Sequence, residues 1–129
     1  MIHETISRIV IQCFYKVYNI LGYGFLEKVY ENALRLELMR AGLDVFQQRR
    51  IEVYYQEQKV GDYFADLCIN NSVVLEIKTV DTIAPIHEAQ LLNYLRATEI
   101  ELGFVLNFGP KPQFLRRILS NERKVFKNK

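Results

Sequence analysis

The stretch Tyr63–Val80, YFADLCINNSVVLEIKTV, limits the folds open to this chain more than any other. Read at period two, Tyr63, Ala65, Leu67 and Ile69 fall on one face of a strand, and Phe64, Asp66 and Cys68 fall on the other. Asn70 and Asn71 tolerate positive φ and supply a turn. A second strand, Ser72–Val80, then alternates Val74, Glu76 and Lys78 against Val73, Leu75 and Ile77. Whether the three charges meet depends on register, because a slip of one residue moves every side chain to the opposite face. A strict two-residue loop pairs Ile69 with Ser72 and sets Asp66 across from Leu75. A three-residue loop pairs Ile69 with Val73 and sets Asp66 across from Glu76, about 5 Å apart at Cβ. The odd loop is the expected one.

Two carboxylates side by side in an apolar sheet repel, and each is costly to desolvate unless a cation or a proton compensates it. Lys78, on the face of Glu76, offers one compensating charge, and a divalent metal offers two. Charges on the solvated face of an antiparallel sheet are the plain alternative. Here, however, they stand beside Phe64, Cys68, Val74 and Val80, on a sheet that reads as buried on both sides.

The rest of the chain builds around this hairpin. A first helix is expected over His3–Leu21, with Ile6, Ile9, Val10, Cys13, Phe14 and Val17 at helical spacing, broken by Gly22-Tyr23-Gly24. A second spans Leu26–Ala41 and stops at Gly42; Glu27, Tyr30, Glu31 and Leu34 share one of its faces. Glu27 in the first turn reads as a helix-start anion or as a residue aimed at a metal. Strands follow over Val45–Tyr55 and Lys59–Ile69, so the Ser72–Val80 strand completes a three-strand meander. A helix over His87–Arg96 places His87, Gln90 and Tyr94 on one face, where His87 reads as a cap or core residue or as a substrate contact. Glu101–Phe108 reads as a buried strand and Gln113–Leu119 as a short helix.

Length and composition fit one domain over residues 1–129, with half the residues hydrophobic and a quarter charged. Cys13 and Cys68 stand alone on apolar patterns, which gives neither a metal spacing nor a disulfide framework and suits a reducing cytoplasm. The N-terminal MIHETISR lacks the pattern of a signal peptide, and no apolar run reaches about 18 residues, so a soluble cytoplasmic protein without a membrane partner is expected. The net charge of +2 hides an uneven distribution. From Lys111 to the end, seven basic residues, Arg116 and Arg117 among them, face Glu122 alone, which makes this tail +6 and the preceding residues −4. Such a tail is a candidate for phosphate contact or simply a solubilising segment. Gln47, Gln48, Arg49 and Arg50, near a strand start, read as an exposed edge or as candidates for backbone phosphate contact.

Asp66, nine residues, then Glu76-Ile77-Lys78 resembles the signature of the PD-(D/E)XK nucleases, and Gly24-Phe25-Leu26-Glu27-Lys28-Val29-Tyr30 is similar to the pattern that names the GxxExxY protein family of that superfamily. Gln90-Leu91-Leu92-Asn93-Tyr94 resembles the QxxxY element of its exonuclease branch. Ala65 stands where a proline commonly precedes the aspartate, a position that varies widely. The resemblance covers about Val17 to Pro110. It implies an α/β fold with an αβββαβ restriction-endonuclease-like core, a mixed sheet flanked by helices, which the periodicity allows. It also implies a metal-dependent nuclease acting on DNA or RNA. Hydrolysing a phosphodiester requires an activated water and a neutralised dianionic transition state, and Mg²⁺ or Mn²⁺ held by carboxylates provides both. In that scheme Asp66, Glu76, the backbone carbonyl of Ile77 and Glu27 hold the metal, Lys78 acts on the water and the developing charge, and Gln90 and Tyr94 orient the substrate or Lys78. Arg49, Arg50, His87, Arg116 and Arg117 are the candidate substrate contacts. The competing reading is a catalytically silent nucleic-acid or protein interaction module on the same fold. So small a domain has little surface outside its core with which to grip DNA, which points to a homodimer or a partner subunit.

Overall fold

A computed structural model describes residues 2–129. Helices α1 (Glu4–Leu21) and α2 (Glu27–Arg40) precede strands β1 (Val45–Tyr55), β2 (Gln58–Ile69) and β3 (Val73–Lys78). Helix α3 (Pro85–Ala97), β4 (Leu102–Phe108), β5 (Pro112–Ile118) and a 3₁₀ turn at Asn121–Arg123 follow. The strands form one mixed sheet in the order β1-β2-β3-β4-β5, in which only β3 and β4 run parallel. A parallel pair needs a crossover, and α3 provides it. From α2 to β4 this is the expected αβββαβ order, with one helix added in front and one strand behind.

Two apolar layers sandwich the sheet. On one side Val10, Phe14 and Val17 of α1 and Tyr30, Leu34 and Leu38 of α2 pack on Leu67, Leu75, Ile77, Phe104 and Phe108. On the other, Leu91 and Leu95 of α3 pack on Ile51, Ala65, Val74 and Val105. Strands β3 and β4 are therefore covered on both faces, which is why they read as continuous apolar runs: every residue of β4 is buried, as is β3 from Val73 to Ile77. Glu76 is thus a carboxylate in a central, fully covered strand.

The hairpin register is the odd one. Ile69 pairs with Val73, Cys68 with Val74 and Leu67 with Leu75, which carries Asp66 across from Glu76. Asn70 and Asn71 both take positive φ, 50° and 53°, and Ser72 N–H bonds back to the Ile69 carbonyl. One part of the parity expectation fails. Tyr63 and Ala65 do not share a face with Leu67 and Ile69: Ala65 lies in the α3 layer, and Leu67 and Ile69 lie in the α1/α2 layer. The alternation slips at Asp66, and in β1, between the pairs Gln47–Leu67 and Arg49–Ala65, Gln48 adopts φ 56°.

A second expectation is overturned. Residues 113–119 form no helix but a strand, β5, antiparallel to β4. The sequence PQFLRRI has no clean period of its own, and pairing with β4 sends its successive side chains to opposite faces. Phe114 meets Phe14 and Phe104 on the α1 side, while Leu115 joins the α3 layer, so both faces of β4's open edge gain apolar cover. Helix α3 also begins two residues before His87. Pro85 occupies its first turn, where a missing N–H costs nothing, and His87 Nδ1 accepts the Ala84 N–H at 2.9 Å.

Two details fix the end of β3 that carries Lys78. Asn107, wholly buried, clamps the Val80 backbone, its Oδ1 accepting Val80 N–H and its Nδ2 donating to Val80 C=O, both at 2.9 Å. Gly109 lets the two chains come this close, since a Cβ there would sit 1.9 Å from the Val80 carbonyl oxygen. Gly109→Ala is therefore expected to destabilise the fold by at least about 3 kcal/mol, because neither backbone can yield without breaking the Asn107 clamp. Chemical denaturation of the two proteins measures this.

The basic tail folds back on the body. Lys124 Nζ donates to the carbonyls of Thr98 and Ile100, each at 2.8 Å, beyond the C-terminus of α3. Asn128 accepts the Tyr54 N–H and donates to Glu52 and Ala97 carbonyls. Among the described residues no helix is long and apolar enough to cross a membrane.

Candidate active site

Between α3 and the sheet lies a cavity of about 360 Å³ lined by Glu27, Ile51, Tyr63, Phe64, Asp66, Glu76, Lys78, Gln90, Asn93, Tyr94 and Ala97. Three separate runs of sequence deliver its polar groups: the start of α2, the β2–β3 hairpin and the exposed face of α3. Larger cavities exist, but they hold no comparable gathering of carboxylates and lysine.

Asp66 is held at both oxygens. Its Oδ2 accepts the Ile77 backbone N–H at 2.8 Å, and its Oδ1 accepts Gln48 Nε2 at 3.2 Å. The slip in the β2 alternation permits this, because it turns the side chain toward the neighbouring strand's backbone. Glu76 is only 6% exposed, and its Oε1 is buried without a hydrogen-bond partner. Burial first, then the charge of Asp66 and a hydrogen bond to it, pushes the Glu76 carboxyl up to about 9, with Lys78 opposing only in part. Without a metal, the Glu76 carboxyl therefore keeps its proton at neutral pH. Lys78 belongs to none of the ion pairs among the described residues, so its ammonium faces the acidic cleft without a fixed partner.

Glu27 stands at the mouth. The loop before it is shaped by Gly24 at φ 122°, which side chains rarely adopt, and is tied down by Tyr30. The Tyr30 hydroxyl accepts the Phe25 N–H and donates to the Gly22 carbonyl, while its ring stacks on Phe108. The Gly-x-x-Glu-x-x-Tyr spacing thus has a local physical meaning: glycine permits the turn, tyrosine locks it, and the glutamate between them is aimed into the cleft. Desolvation raises the Glu27 carboxyl, Lys78 lowers it, and Asp66 and Glu31 raise it further.

On α3, Gln90 and Tyr94 line the same cavity. The Tyr94 hydroxyl donates to the Phe64 carbonyl at 3.1 Å, which ties α3 to β2 two residues ahead of Asp66, and its ring meets Tyr63 edge-on. Burial, then the charges of Glu76 and Asp66, raises the phenol. His87, at the third position of α3, accepts the N–H of the capping residue Ala84; desolvation and the nearby Lys78 lower its imidazole.

The arginines are dispersed. Arg49 lies beside the cleft, in an adjoining cavity that shares Ile51, Tyr94 and Ala97 with it, and its guanidinium stands over the Phe46 ring. Arg50 lines that neighbour too but is engaged by Asp62 and Glu52. Arg116 and Arg117 lie on opposite faces of β5, the first donating to the Ile2 carbonyl and the second paired with Glu88. Neither lines the cleft. Sequence reasoning missed Gln48, Glu31 and Asn107 as supports of the site. Glu31 was visible only as a helix-face neighbour of Glu27 and Gln48 only as an edge or phosphate-contact candidate, and no local signal marks Asn107.

Among the described residues no three His, Cys, Asp or Glu side chains gather to hold a metal by themselves. What lines the cavity is the carboxyl groups of Glu27, Asp66 and Glu76, and one of their oxygens, the buried Glu76 Oε1, has nothing to bond. Such an all-oxygen set fits a hard divalent cation that keeps several water or phosphate ligands, as Mg²⁺ does. It fits once Glu76 has given up its proton.

A family model described as "PD-(D/E)XK nuclease superfamily" matches residues 4–118. The chain belongs to the PD-(D/E)XK nuclease superfamily. Its Asp66 and Glu76-Ile77-Lys78 stand on β2 and β3 of the superfamily's core. The solved structure described as "Crystal structure of SSO0001" has a similar fold, with a TM-score of 0.55 and 22% identity over 73% of this chain and 50% of that one. The chain thus spans about half the length of that relative, and the likeness speaks to the fold. No curated protein matches this chain.

Proposed function

We propose that this PD-(D/E)XK chain hydrolyses phosphodiester bonds in DNA or RNA with a divalent metal, Mg²⁺ or Mn²⁺, in the cleft between α3 and the sheet. The observation that carries this reading is the buried, unpartnered Oε1 of Glu76 beside Asp66, facing an unpaired Lys78. A purely structural carboxylate in a covered strand would be paired, since an unsatisfied buried polar atom costs stability.

The metal, when bound, polarises the phosphate and makes its water ligand nucleophilic. Asp66 and Glu76 would hold it with the Ile77 carbonyl, and Glu27 would reach it directly or through water. Lys78 directs its ammonium at the water and at the charge that grows on the phosphate oxygens. Gln90 and Tyr94 would line the substrate's side of the cleft, and Tyr94 ties α3 to β2. Arg49, in the adjoining cavity, is the best placed of the arginines for a neighbouring phosphate; His87, Arg50, Arg116 and Arg117 already serve internal contacts. Among the described residues the tail leaves Lys111, Arg123, Lys127 and Lys129 as its exposed cationic groups for backbone phosphates. A second copy or a partner subunit would extend the small surface around the cleft.

The test is cleavage of labelled single- and double-stranded DNA and RNA with Mn²⁺, comparing wild type with Glu76→Ala. Wild-type cleavage that disappears in the variant is expected. Binding without cleavage, indifferent to Glu76→Ala, would establish the silent interaction module instead.

A further inference from the structure

A glutamine in the middle of β1 is in an unusual backbone state. Gln48 has φ 56°, the left-handed region that glycine and asparagine favour, although it lies between residues paired in register with β2. Such strain persists where the surroundings hold it, and it is often found at functional sites. Its consequence here is directional. The irregularity brings the Gln48 side chain between helix α2 and Asp66, where one amide nitrogen meets two carboxylates. Nε2 lies 3.1 Å from both oxygens of Glu31 and 3.2 Å from Asp66 Oδ1. Only the donor end of the amide can face three carboxylate oxygens; the carbonyl end would repel all of them.

Glu31 is itself fixed. It is 3% exposed, takes Lys28 Nζ at 2.9 Å and also accepts Gln47 Nε2. The chain of contacts therefore runs from a buried, lysine-neutralised carboxylate through Gln48 to Asp66. With Oδ1 held by Gln48 and Oδ2 held by the Ile77 N–H, the Asp66 carboxylate has one orientation. Each oxygen keeps a lone pair for another partner. A ligand held this way need not be ordered when a cation arrives, and such outer contacts tune metal affinity.

We propose that Gln48, anchored by Glu31, is the positioning residue for Asp66: it holds that carboxylate in the orientation that receives a divalent cation. This rests on the metal-dependent reading above.

The test is Mn²⁺ binding by titration calorimetry on the full chain, with metal-free thermal unfolding as control. Gln48→Gly removes the amide while keeping a residue at ease at positive φ, and Gln48→Asn keeps that tolerance with an amide one methylene too short to bridge. Both are expected to weaken Mn²⁺ binding about 10- to 100-fold with the metal-free midpoint unchanged or raised. Glu31→Gln should give an intermediate loss. Variants that bind Mn²⁺ within twofold of a metal-binding wild type would overturn the role of Gln48 and leave the metal site standing. So would an affinity loss that merely follows lost metal-free stability. A wild type that takes up no Mn²⁺ would instead overturn the metal reading itself.

Discussion

Replacing Lys78 with alanine is expected to lower the turnover of phosphodiester cleavage by about 100- to 10,000-fold while nucleic-acid affinity stays within a few-fold. Lys78 closes β3, its backbone neighbourhood is clamped by Asn107 on Val80, and its ammonium reaches a cleft whose carboxylates have not captured it in an ion pair. A cation so placed does little to hold the ground state, where contacts along the strand dominate, and more for the charge that accumulates as water attacks. An interaction realised only in the transition state lowers turnover and kcat/KM together when removed, so KM should hardly move. Lys78→Arg should rescue poorly, because a planar guanidinium fork is broader than an ammonium and would press on Glu27 or Tyr94. Single-turnover cleavage with saturating enzyme, beside binding measured in Ca²⁺, separates the two effects. A variant that loses affinity in proportion to rate would make Lys78 a substrate anchor.

What the sequence disclosed, and what it hid, follows from the range of the interactions. The Asp66–Glu76 juxtaposition was legible because it depends on parity and on the length of one asparagine turn, all local. The helices were legible from apolar spacing, and the three-strand meander from its turns. Strand β5 was not: Pro112–Ile118 has too weak a pattern to decide by itself, and the edge of β4 together with Phe14 and Phe104 decides for it. The slip at Asp66 was hidden because the residue that takes positive φ opposite it is Gln48, not a glycine or asparagine that would announce it. The tail was legible as charge but not as structure, since Lys124 and Asn128 bond to carbonyls of residues 98, 100, 52 and 97, far away in the chain. Asn107 read as the end of a strand, and only the parallel pairing of β3 with β4 brings it to Val80.

The carboxyl of Glu76 should make metal binding and stability respond to pH in opposite directions. In the unfolded chain its value is the ordinary 4.5, and in the fold it is pushed up to about 9. Between these values the folded state keeps a proton that the unfolded state has released. Stability contributed by this group therefore falls as pH rises, by at most about 1.4 kcal/mol per pH unit, and is least above the folded value. Glu76→Gln keeps the shape without the charge. It should match wild type near pH 4.5 and exceed it by at least about 2 kcal/mol at pH 8 in metal-free buffer. Asp66→Asn should bring no such relief, because both Asp66 oxygens already accept N–H groups and an amide would turn a donor toward one of them. Metal reverses the sign. A cation at Glu76 must displace its proton, so Mn²⁺ affinity should tighten up to about tenfold per pH unit from pH 6 to 8. Mn²⁺ at 100 times Kd should add about 2.7 kcal/mol to wild type and nothing to Glu76→Gln. Thermal unfolding of both proteins from pH 5 to 8, with and without Mn²⁺, reads all of this in one series. A stability gap that stays flat across that range would mean that Glu76 is ionised in the folded protein, and the buried proton would be lost from the account of the site.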